Sequence, residues 1–525
     1  MIGKIQHCAV WFVGLAFVIP VGVSGQTEEG AYEVGTALPP LGPGRTPVDI
    51  TVDQAIARAL DLNLDIRTAR LGPEIQRYSL QAAEAAFSTT LNSTYGYNNS
   101  TVPSTSQLDG GFQTETERQT FNASIEKSMP WYGGRLSADF NNNRTETNNT
   151  FSTLNPSFRS SVSLNYTQPL LAGFSTDNQR AALETQAIQG EISNIELSRR
   201  IAIITNRVRV AYWGLRATIE QIEIRRRDLA QAEELLLQNG IRVQLGSLSE
   251  LQVIQAEAQV ASAEQALLNA EIQWRNQELI LKQLLMSGAG DPLLIQTLNP
   301  TGLPVLVEQV VNIDAAVATA LDQRADLRQT RQQREISELE LAVTKNNVRP
   351  DLNLTAGYSL QGVGGNAFDR FGLGGDPVLV APGGYFDGLS SIADLDTPTW
   401  NLTLNFSYPI GNRAAKANRQ RAVLQIEQAD MALRSQELTI VTEVTAAGLA
   451  VNDSFLLLQA ALRSREVSER AAEVEVTRFN VGASTNYEVA LAQAQLTAAR
   501  LSELRATIDH VNAIADFDLV QFVGR

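Results

Sequence analysis

The chain has 525 residues, of which 44% are apolar, and it carries a formal net charge of −15 at neutral pH. Nucleic acid requires basic surface to replace its counterions, so a chain this acidic and without a basic run is a poor candidate for binding it. The only cysteine, Cys8, lies in an N-terminal leader, which excludes a disulfide framework, thiolate catalysis and zinc–thiolate sites for the mature chain.

The N-terminal 50 residues divide into a leader and an arm. Residues 1–25 have the features of a secretory signal peptide, since Lys4 precedes an apolar run from Ala9 to about Val21 that is followed by small residues. Residues 26–50 are rich in proline and glycine, which predicts an extended arm rather than a packed element. No run of roughly 18 consecutive apolar residues follows the leader, so a membrane span would have to consist of strands.

A first repeat is predicted for residues 51–288, and it begins with a helix from Asp53 to about Ala86. Proline removes an intrahelical hydrogen bond, so we expect a kink at Gly72–Pro73. From Leu91 the hydrophobic period changes to two. Alternating apolar and polar residues within 88–168 predict four strands, which start near Leu91, Phe121, Leu136 and Val162.

The predicted connections between these strands alternate in length. Long polar loops are expected at 98–118 and 142–157, and a short turn at Pro130–Gly134. Long loops on one side and short turns on the other are typical of outer-membrane barrels, although a soluble sandwich would also show alternating residues. Trp131 and Tyr132 in the short turn could anchor at a lipid–water interface, as could Trp400, or the two turn residues could merely fill the turn.

The strands lead directly into very long helices. Apolar residues at heptad spacing from Leu197 to Ile222 predict a helix from about Gln179 to Gly240 that coils around neighbouring helices. At 1.5 Å per residue this helix spans roughly 90 Å, which is more than any single globular core. It forms the first helix of a helical hairpin at 178–288.

A second repeat is predicted for residues 313–525, after a linker at 289–312. It begins with a helix that matches the first one at an offset of 261 residues, with Asp314 in the place of Asp53. A period of this length indicates a duplicated domain rather than a solenoid.

The second repeat has fewer strands than the first. Leu404 matches Leu164 at an offset of only 240 residues, so the first repeat carries 21 more residues between its strands. Accordingly we expect only two strands at 351–409, joined by a long polar loop at 361–398. A second helical hairpin at 412–523 completes the chain.

The tips of the two hairpins match closely. Arg242–Ala258 aligns with Arg478–Ala494 at a constant offset of 236 residues. In each copy the helical pattern stops at a glycine, Gly246 or Gly482, and restarts two or three residues later. The sequence therefore predicts two equivalent tight turns between antiparallel helices.

Both restarts have the residues of a capping box. Ser249 with Gln252, and Thr485 with Glu488, are spaced so that a hydroxyl and the N3 side chain can satisfy each other's backbone N–H groups. Each of the two helices that follow the turns is therefore expected to begin at a side-chain cap.

This duplicated plan of strand, helix, turn and helix resembles that of the TolC-type outer-membrane efflux proteins. The resemblance rests on the plan itself, on the strand-to-helix exits QPLLAGF from Gln168 and YPIGNRA from Tyr408, and on the shared glycine and alanines of the two tips. It covers the chain from about Asp53 to Gly524. The order and duplication of the motifs, rather than any single one, make it specific.

The resemblance implies an α+β membrane protein, a homotrimer whose chains form a β-barrel through the outer membrane, continuous with a long periplasmic α-helical barrel. It implies a passive channel-tunnel of a tripartite efflux or type I secretion system, which exports small molecules or proteins. The implied partners are a periplasmic adaptor, an inner-membrane transporter and outer-membrane lipid. The adaptor would dock at the tips, formed by Gly246, Ser247, Leu248, Gly482, Ala483 and Ser484. No catalytic constellation accompanies this plan, so we expect no enzyme activity, cofactor or metal site.

One feature departs from the family. Its members typically have four strands per chain, whereas this sequence predicts six. The barrel of a trimer would then have 12 strands, with an extra hairpin from Phe121 to Phe140 outside it, or 18 strands with that hairpin in the wall.

The resemblance also implies a periplasmic gate of acidic rings six and nine residues after the second-repeat glycine. These positions are Glu488 and Leu491, so only the first ring is kept. Three Glu488 carboxylates near the axis would attract divalent cations, and the bound cations would block the pore. Glu488 is also the N3 residue of a capping box, where the helix dipole favours a carboxylate. The sequence leaves both roles open.

An alternative function is a trimeric coiled-coil surface fibre on a barrel anchor, without transport. Both ends of each helical hairpin are predicted to return to the strands. Fibres usually run in one direction, so the duplicated hairpins favour the export channel.

Overall fold

The computed structural model describes residues 37–40, 46–105, 111–246, 248–302, 304, 311–370, 372 and 375–521. The predicted signal peptide at 1–25 and most of the arm at 26–50 lie outside the described residues, as does Ser247 of the first tip. Within the described residues the chain forms a sheet of long strands and a body of long helices, built from two repeats.

The helical body contains four helices from each repeat. In the first repeat these are α1 (Val52–Leu62), α2 (Leu64–Glu84), α3 (Asn178–Gln244) and α4 (Glu250–Leu285). In the second they are α5 (Ile313–Gln323), α6 (Ala325–Asn346), α8 (Arg413–Asn480) and α9 (Asn486–Gln521). The 67 residues of α3 and the 68 of α8 make each helix roughly 100 Å long. The long hairpins α3–α4 and α8–α9 therefore lie where the sequence predicts them.

The prediction of one continuous helix from Asp53 to Ala86 is wrong. The helix breaks at Asn63, whose backbone is extended (φ −60°, ψ 127°), and Pro73 lies inside α2. The Asn63 side-chain oxygen accepts hydrogen bonds from the backbone N–H groups of Asp65 and Ile66, so it caps a new helix. The second repeat breaks in the same way at Arg324 (φ −62°, ψ 131°), 261 residues later.

The long strands form one antiparallel sheet. They are β2 (Thr90–Pro103), β3 (Gln113–Ser128), β4 (Arg135–Thr147), β5 (Leu154–Pro169), β7 (Asp351–Asp369) and β9 (Pro398–Ser407), with a short β8 (Val378–Ala381). The order is β2-β3-β4-β5-β7, and both β8 and β9 pair with β7 on the far side. The four strands of the first repeat lie where the alternating residues predict them.

The predicted long loops are mostly regular structure. Strands β2 to β5 extend well into 98–118 and 142–157, because cross-strand pairing continues along their polar ends, as between Thr116 and Thr147. The 361–398 segment contains the end of β7, β8 and a helix, α7 (Tyr385–Ala393). Helix α7 packs so closely on β7 that a Cβ at Gly362 of β7 would collide with the carbonyl oxygen of Gly388 in α7. The second repeat therefore has three strands, and not the two predicted.

The arm and the linker pair with each other. Strand β1 (Pro47–Ile50) runs parallel to β6 (Thr297–Pro300), and both Ile50 and Leu298 are buried. The end of the arm is therefore a packed element, contrary to prediction, because its apolar side chains are covered by the linker and by α3.

Two buried side chains of α3 hold this arm and linker in place. The Tyr212 hydroxyl lies 3.1 Å from the carbonyl oxygens of both Ile50 and Thr301. Burial raises the pKa of Tyr212 to about 12, so the hydroxyl keeps the proton that it donates. Arg216 donates to the carbonyl oxygens of Ala37 and Pro300.

The main core of the helical body lies along α3. The heptad positions Ile204, Val208, Ala211, Leu215 and Ile222 are buried there against α1, α2, α4 and β6, so the residues at heptad spacing face neighbouring elements. A smaller core joins α5, α8 and α9 around Ile440, Val444 and Phe517.

Among the described helices, α8 is long and apolar enough to cross a membrane by length and composition, with a mean hydropathy of 1.3 in its most apolar window of 18 residues. The whole helix is roughly three times as long as a bilayer core is thick. It packs against α9, α6 and α5. The apolar window is therefore one section of a much longer helix of the helical body.

Candidate functional site

The two helical tips end in left-handed glycines. Gly246 follows α3 with φ +73°, and Gly482 follows α8 with φ +77°. Only glycine adopts this conformation without strain, so both residues terminate their helices as the sequence predicts. The space around each is open, since an added Cβ would meet no heavy atom within 4 Å.

The structure brings the two predicted tips together. Leu235 of α3 packs with Phe479 of α8 and Val489 of α9 in one buried cluster. The Arg242 guanidinium lies over the Phe479 ring, 4.2 Å from its centroid. The sequence matches Arg242 with Arg478 but gives no sign that Arg242 reaches the other repeat.

Both tips expose large apolar side chains. Leu245 is 77% exposed beside Gly246, and Val481 is 76% exposed beside Gly482. Leu251 and Tyr487, at the start of the two returning helices, are also exposed. Of the other predicted docking residues, Ala483 is exposed, whereas Leu248 and Ser484 are half-buried. Adjacent exposed apolar side chains at one end of a molecule form a surface that a partner can cover.

The second tip has the predicted capping box. The Glu488 carboxylate accepts hydrogen bonds from the backbone N–H of Thr485 at 3.1 Å and from the Ser484 hydroxyl at 2.9 Å. The Glu488 backbone N–H donates to the Thr485 hydroxyl at 3.3 Å. The bond from the Thr485 backbone, followed by that from Ser484, lowers the pKa of Glu488. Glu488 is exposed, and so is Leu491.

The capping box predicted at the first tip is not formed. The Ser249 side chain caps no backbone N–H of the described residues, and the N–H of Gln252 instead bonds to the Ser249 carbonyl oxygen at 3.0 Å. The glutamine at N3 is not the obstacle, because Gln54 completes a capping box with Thr51 at the start of α1.

Between the two hairpins lies a polar cavity of about 860 Å³, which sequence reasoning missed. Its walls come from α3, α8 and α9 and include Glu223, Arg227, Glu469 and Arg500. Arg500 donates to Glu469 at 2.7 Å and lowers the pKa of that carboxyl. The charged residues of this cavity come from distant parts of the chain, so no local spacing in the sequence indicates the cavity.

The sheet has one apolar and one polar face. A single row of paired residues, Leu91, Ile125, Ala138, Leu164, Tyr358 and Trp400, crosses all six long strands on the apolar face. Most of these side chains are exposed in the single chain. The opposite face carries asparagine, serine and threonine, for example Asn141, Ser161 and Asn353. An exposed apolar face of this size indicates contact with lipid.

The predicted interface aromatics lie in the turn at the helical end of this apolar face and on the face itself. Trp131 and Tyr132 are in the turn between β3 and β4, at the end of the sheet next to the helices, and Tyr132 stacks on Phe174 at 5.0 Å. Trp400 is the third residue of β9 and is 76% exposed. It pairs with Tyr358 in the row that also contains Leu91, so it lies within the apolar face.

Comparison with known proteins supports this architecture. Residues 135–286 and 316–519 match the family model of the outer membrane efflux proteins, which confirms the resemblance inferred from the sequence. No curated protein matches the chain.

Solved structures share its fold. The CmeC outer membrane channel of Campylobacter jejuni is 15% identical with a TM-score of 0.64, over 90% of this chain and 85% of CmeC. CusC, described in connection with transmembrane channel formation, is 15% identical with a TM-score of 0.66, over 94% of this chain and 97% of CusC. VceC of Vibrio cholerae is 15% identical with a TM-score of 0.62, over 90% of this chain and 96% of VceC. At this identity the likeness concerns the fold.

Proposed function

The chain belongs to the outer membrane efflux protein family, and from that membership we propose that three copies form a passive channel-tunnel for export. The family is one of outer-membrane transport conduits, so the prediction that the chain is not an enzyme is confirmed. We propose three parts of this function: the trimer, the transport system in which the chain works and the class of its cargo.

The observation that carries the proposal is the open sheet. Among the described residues, β2 has no neighbour on one side, and neither does β9. A sheet in a bilayer has to close, because water is absent to satisfy its edge N–H and C=O groups. One chain supplies six long strands, too few to close a barrel with a wide aqueous lumen. Copies that pair β9 of one chain with β2 of the next would satisfy both edges.

The helical body extends this barrel as a duct through the periplasm. Its tips would dock a periplasmic adaptor, which connects the duct to an inner-membrane transporter in a tripartite efflux or type I secretion system. The exposed Leu245 and Val481 beside the two glycines support this contact, because they are apolar and uncovered in the single chain. The transporter would supply the energy, and small molecules or proteins would be the cargo.

The second tip would also form the periplasmic gate. In a trimer, three copies of Glu488 would lie near the axis as an acidic ring, followed by the apolar side chains of Leu491. The exposure of both side chains supports this role, because neither is covered by another part of the described chain. Such a ring attracts divalent cations.

The test is reconstitution of the purified chain. We expect light scattering in detergent to give the mass of three chains, and planar bilayers to show discrete channel currents. A monomer that keeps its helix content, or a trimer without conductance, would contradict the proposal. The second result would favour the surface fibre.

A further inference from the structure

The polar face carries charged side chains of both signs at different heights along the strands. Asp139 lies in the middle of this face, on β4, whereas Arg118 of β3 and Arg159 of β5 lie nearer the distal end. We infer that these two arginines form an anion-attracting belt inside the distal half of the barrel, which acts on anionic cargo as it leaves. The inference rests on the proposed trimeric channel.

Strand register places both arginines on the polar face. Arg159 pairs with Asn143 of β4, which pairs in turn with Thr120 of β3, while Arg118 pairs with Thr145 two residues further out. A cavity of about 380 Å³ on this part of the sheet is lined by Thr120, Asn141, Asn143, Arg159 and Ser161. From strand spacing and rise, the two arginines are roughly 12 Å apart.

Neither arginine is neutralised by a carboxylate of the described residues. Arg118 is paired with Asn98 and Thr145, and Arg159 with Asn143 and Val363, and both arginine side chains are exposed. Arg144 provides the contrast, since it lies at the same height on the opposite face and pairs with Glu146. Two uncompensated guanidinium groups per chain make six in a trimer.

Asp139 is too far away to cancel this charge. It accepts hydrogen bonds from the hydroxyls of Ser137 and Ser163 and from the side-chain amide of Asn165, at 3.3 to 3.4 Å. It lies four residues along β4 from Asn143, which is about 13 Å. That separation exceeds the screening length of about 8 Å in physiological salt.

The chemistry of the belt selects anions. Charges that line a lumen with low-dielectric walls focus their field and raise the local concentration of counter-ions. Guanidinium groups bind carboxylate and phosphate oxygens in a bidentate manner. Cargo that carries carboxylates or phosphates would therefore be drawn into the distal half of the barrel, whereas cationic cargo would be repelled there.

The test uses inorganic tripolyphosphate as a blocker of channels in planar bilayers, added on the side of the distal strand ends. We expect block of the unsubstituted channel in physiological salt, and block that is at least about tenfold weaker in the double variant Arg118→Gln/Arg159→Gln. The control is Arg144→Gln, which removes one guanidinium charge from the opposite face and should leave block unchanged. The double variant Arg118→Lys/Arg159→Lys keeps the charge and should retain block.

Each other outcome overturns the inference. Unchanged block in the double glutamine variant would show that the arginines do not face the ions, and an equal loss in Arg144→Gln would show a general surface-charge effect. An unsubstituted trimer without any channel current would instead contradict the proposed function itself. Because both arginines are exposed and without ion pairs among the described residues, their replacement is not expected to disturb folding.

Discussion

At the scale of single residues, Glu488 has a structural role and a proposed gating role. Its carboxylate accepts from the Thr485 backbone N–H and from the Ser484 hydroxyl, which fixes the start of α9. These hydrogen bonds favour the charged form and lower its pKa. The contribution of the charged cap to stability is therefore present at neutral pH, and it is lost only as the pH falls through a value below that of an ordinary glutamate.

Replacement of Glu488 by glutamine separates the two roles. Glutamine can still complete a capping box but carries no charge, so we expect the Glu488→Gln trimer to assemble and to lose block by divalent cations. Single-channel recordings with calcium measure this directly. The matched control is Glu250→Gln, which removes an exposed carboxylate from the first turn of α4 at the other tip. Calcium block that persists in Glu488→Gln would leave Glu488 as a cap only.

At the scale of elements, the tips combine a left-handed backbone position with open space. Gly482 has φ +77°, and no heavy atom lies near its missing side chain. A tryptophan there would strain the turn and also stand in the way of any hairpin that docks on it. The proposed docking contact therefore predicts a large functional effect from a change that leaves packing within the chain untouched.

We expect Gly482→Trp to abolish export in cells that depend on this chain, while the trimer and its level in the outer membrane stay normal. Gly411→Trp is the matched control, since Gly411 has a similar φ of +83° and open surroundings but lies between β9 and α8. Backbone strain alone would affect both variants equally. Export at the unsubstituted rate in Gly482→Trp would place the adaptor contact elsewhere.

At the scale of the whole molecule, the number of strands sets the width of the barrel. The extra hairpin of the first repeat is part of the sheet, because Leu136 pairs with Tyr166 and Phe140 with Val162. The apolar row that begins at Leu91 crosses this hairpin without interruption. A hairpin folded outside the wall would have neither property.

We therefore predict an 18-stranded barrel in the trimer, with β9 of each chain paired to β2 of the next. An electron cryo-microscopy map of the trimer in a lipid nanodisc would count the strands. Twelve strands, with β3 and β4 outside the wall, would contradict the prediction. An 18-stranded barrel is wide enough to leave an aqueous channel.

The sequence by itself determined the features that depend on local periodicity and on local hydrogen bonds. A period of two predicts β2 to β5, heptad spacing predicts α3, and the glycines at 246 and 482 mark the tips, because each signal lies within a short stretch of chain. The offsets between the repeats also predict which repeat carries the additional strands. The break at Asn63 is local too, since asparagine is a favoured N-cap residue, but it was not among the predicted features.

Only the tertiary structure decided the features that depend on a distant partner. Whether polar residues such as Thr116 belong to a strand or a loop depends on a neighbouring strand that satisfies their backbone, and the packing of the arm depends on the linker some 250 residues away. The same holds for Arg118 and Arg159. Strand alternation assigns each to a face, but only the register brings them together on one part of that face, without a carboxylate among their paired neighbours.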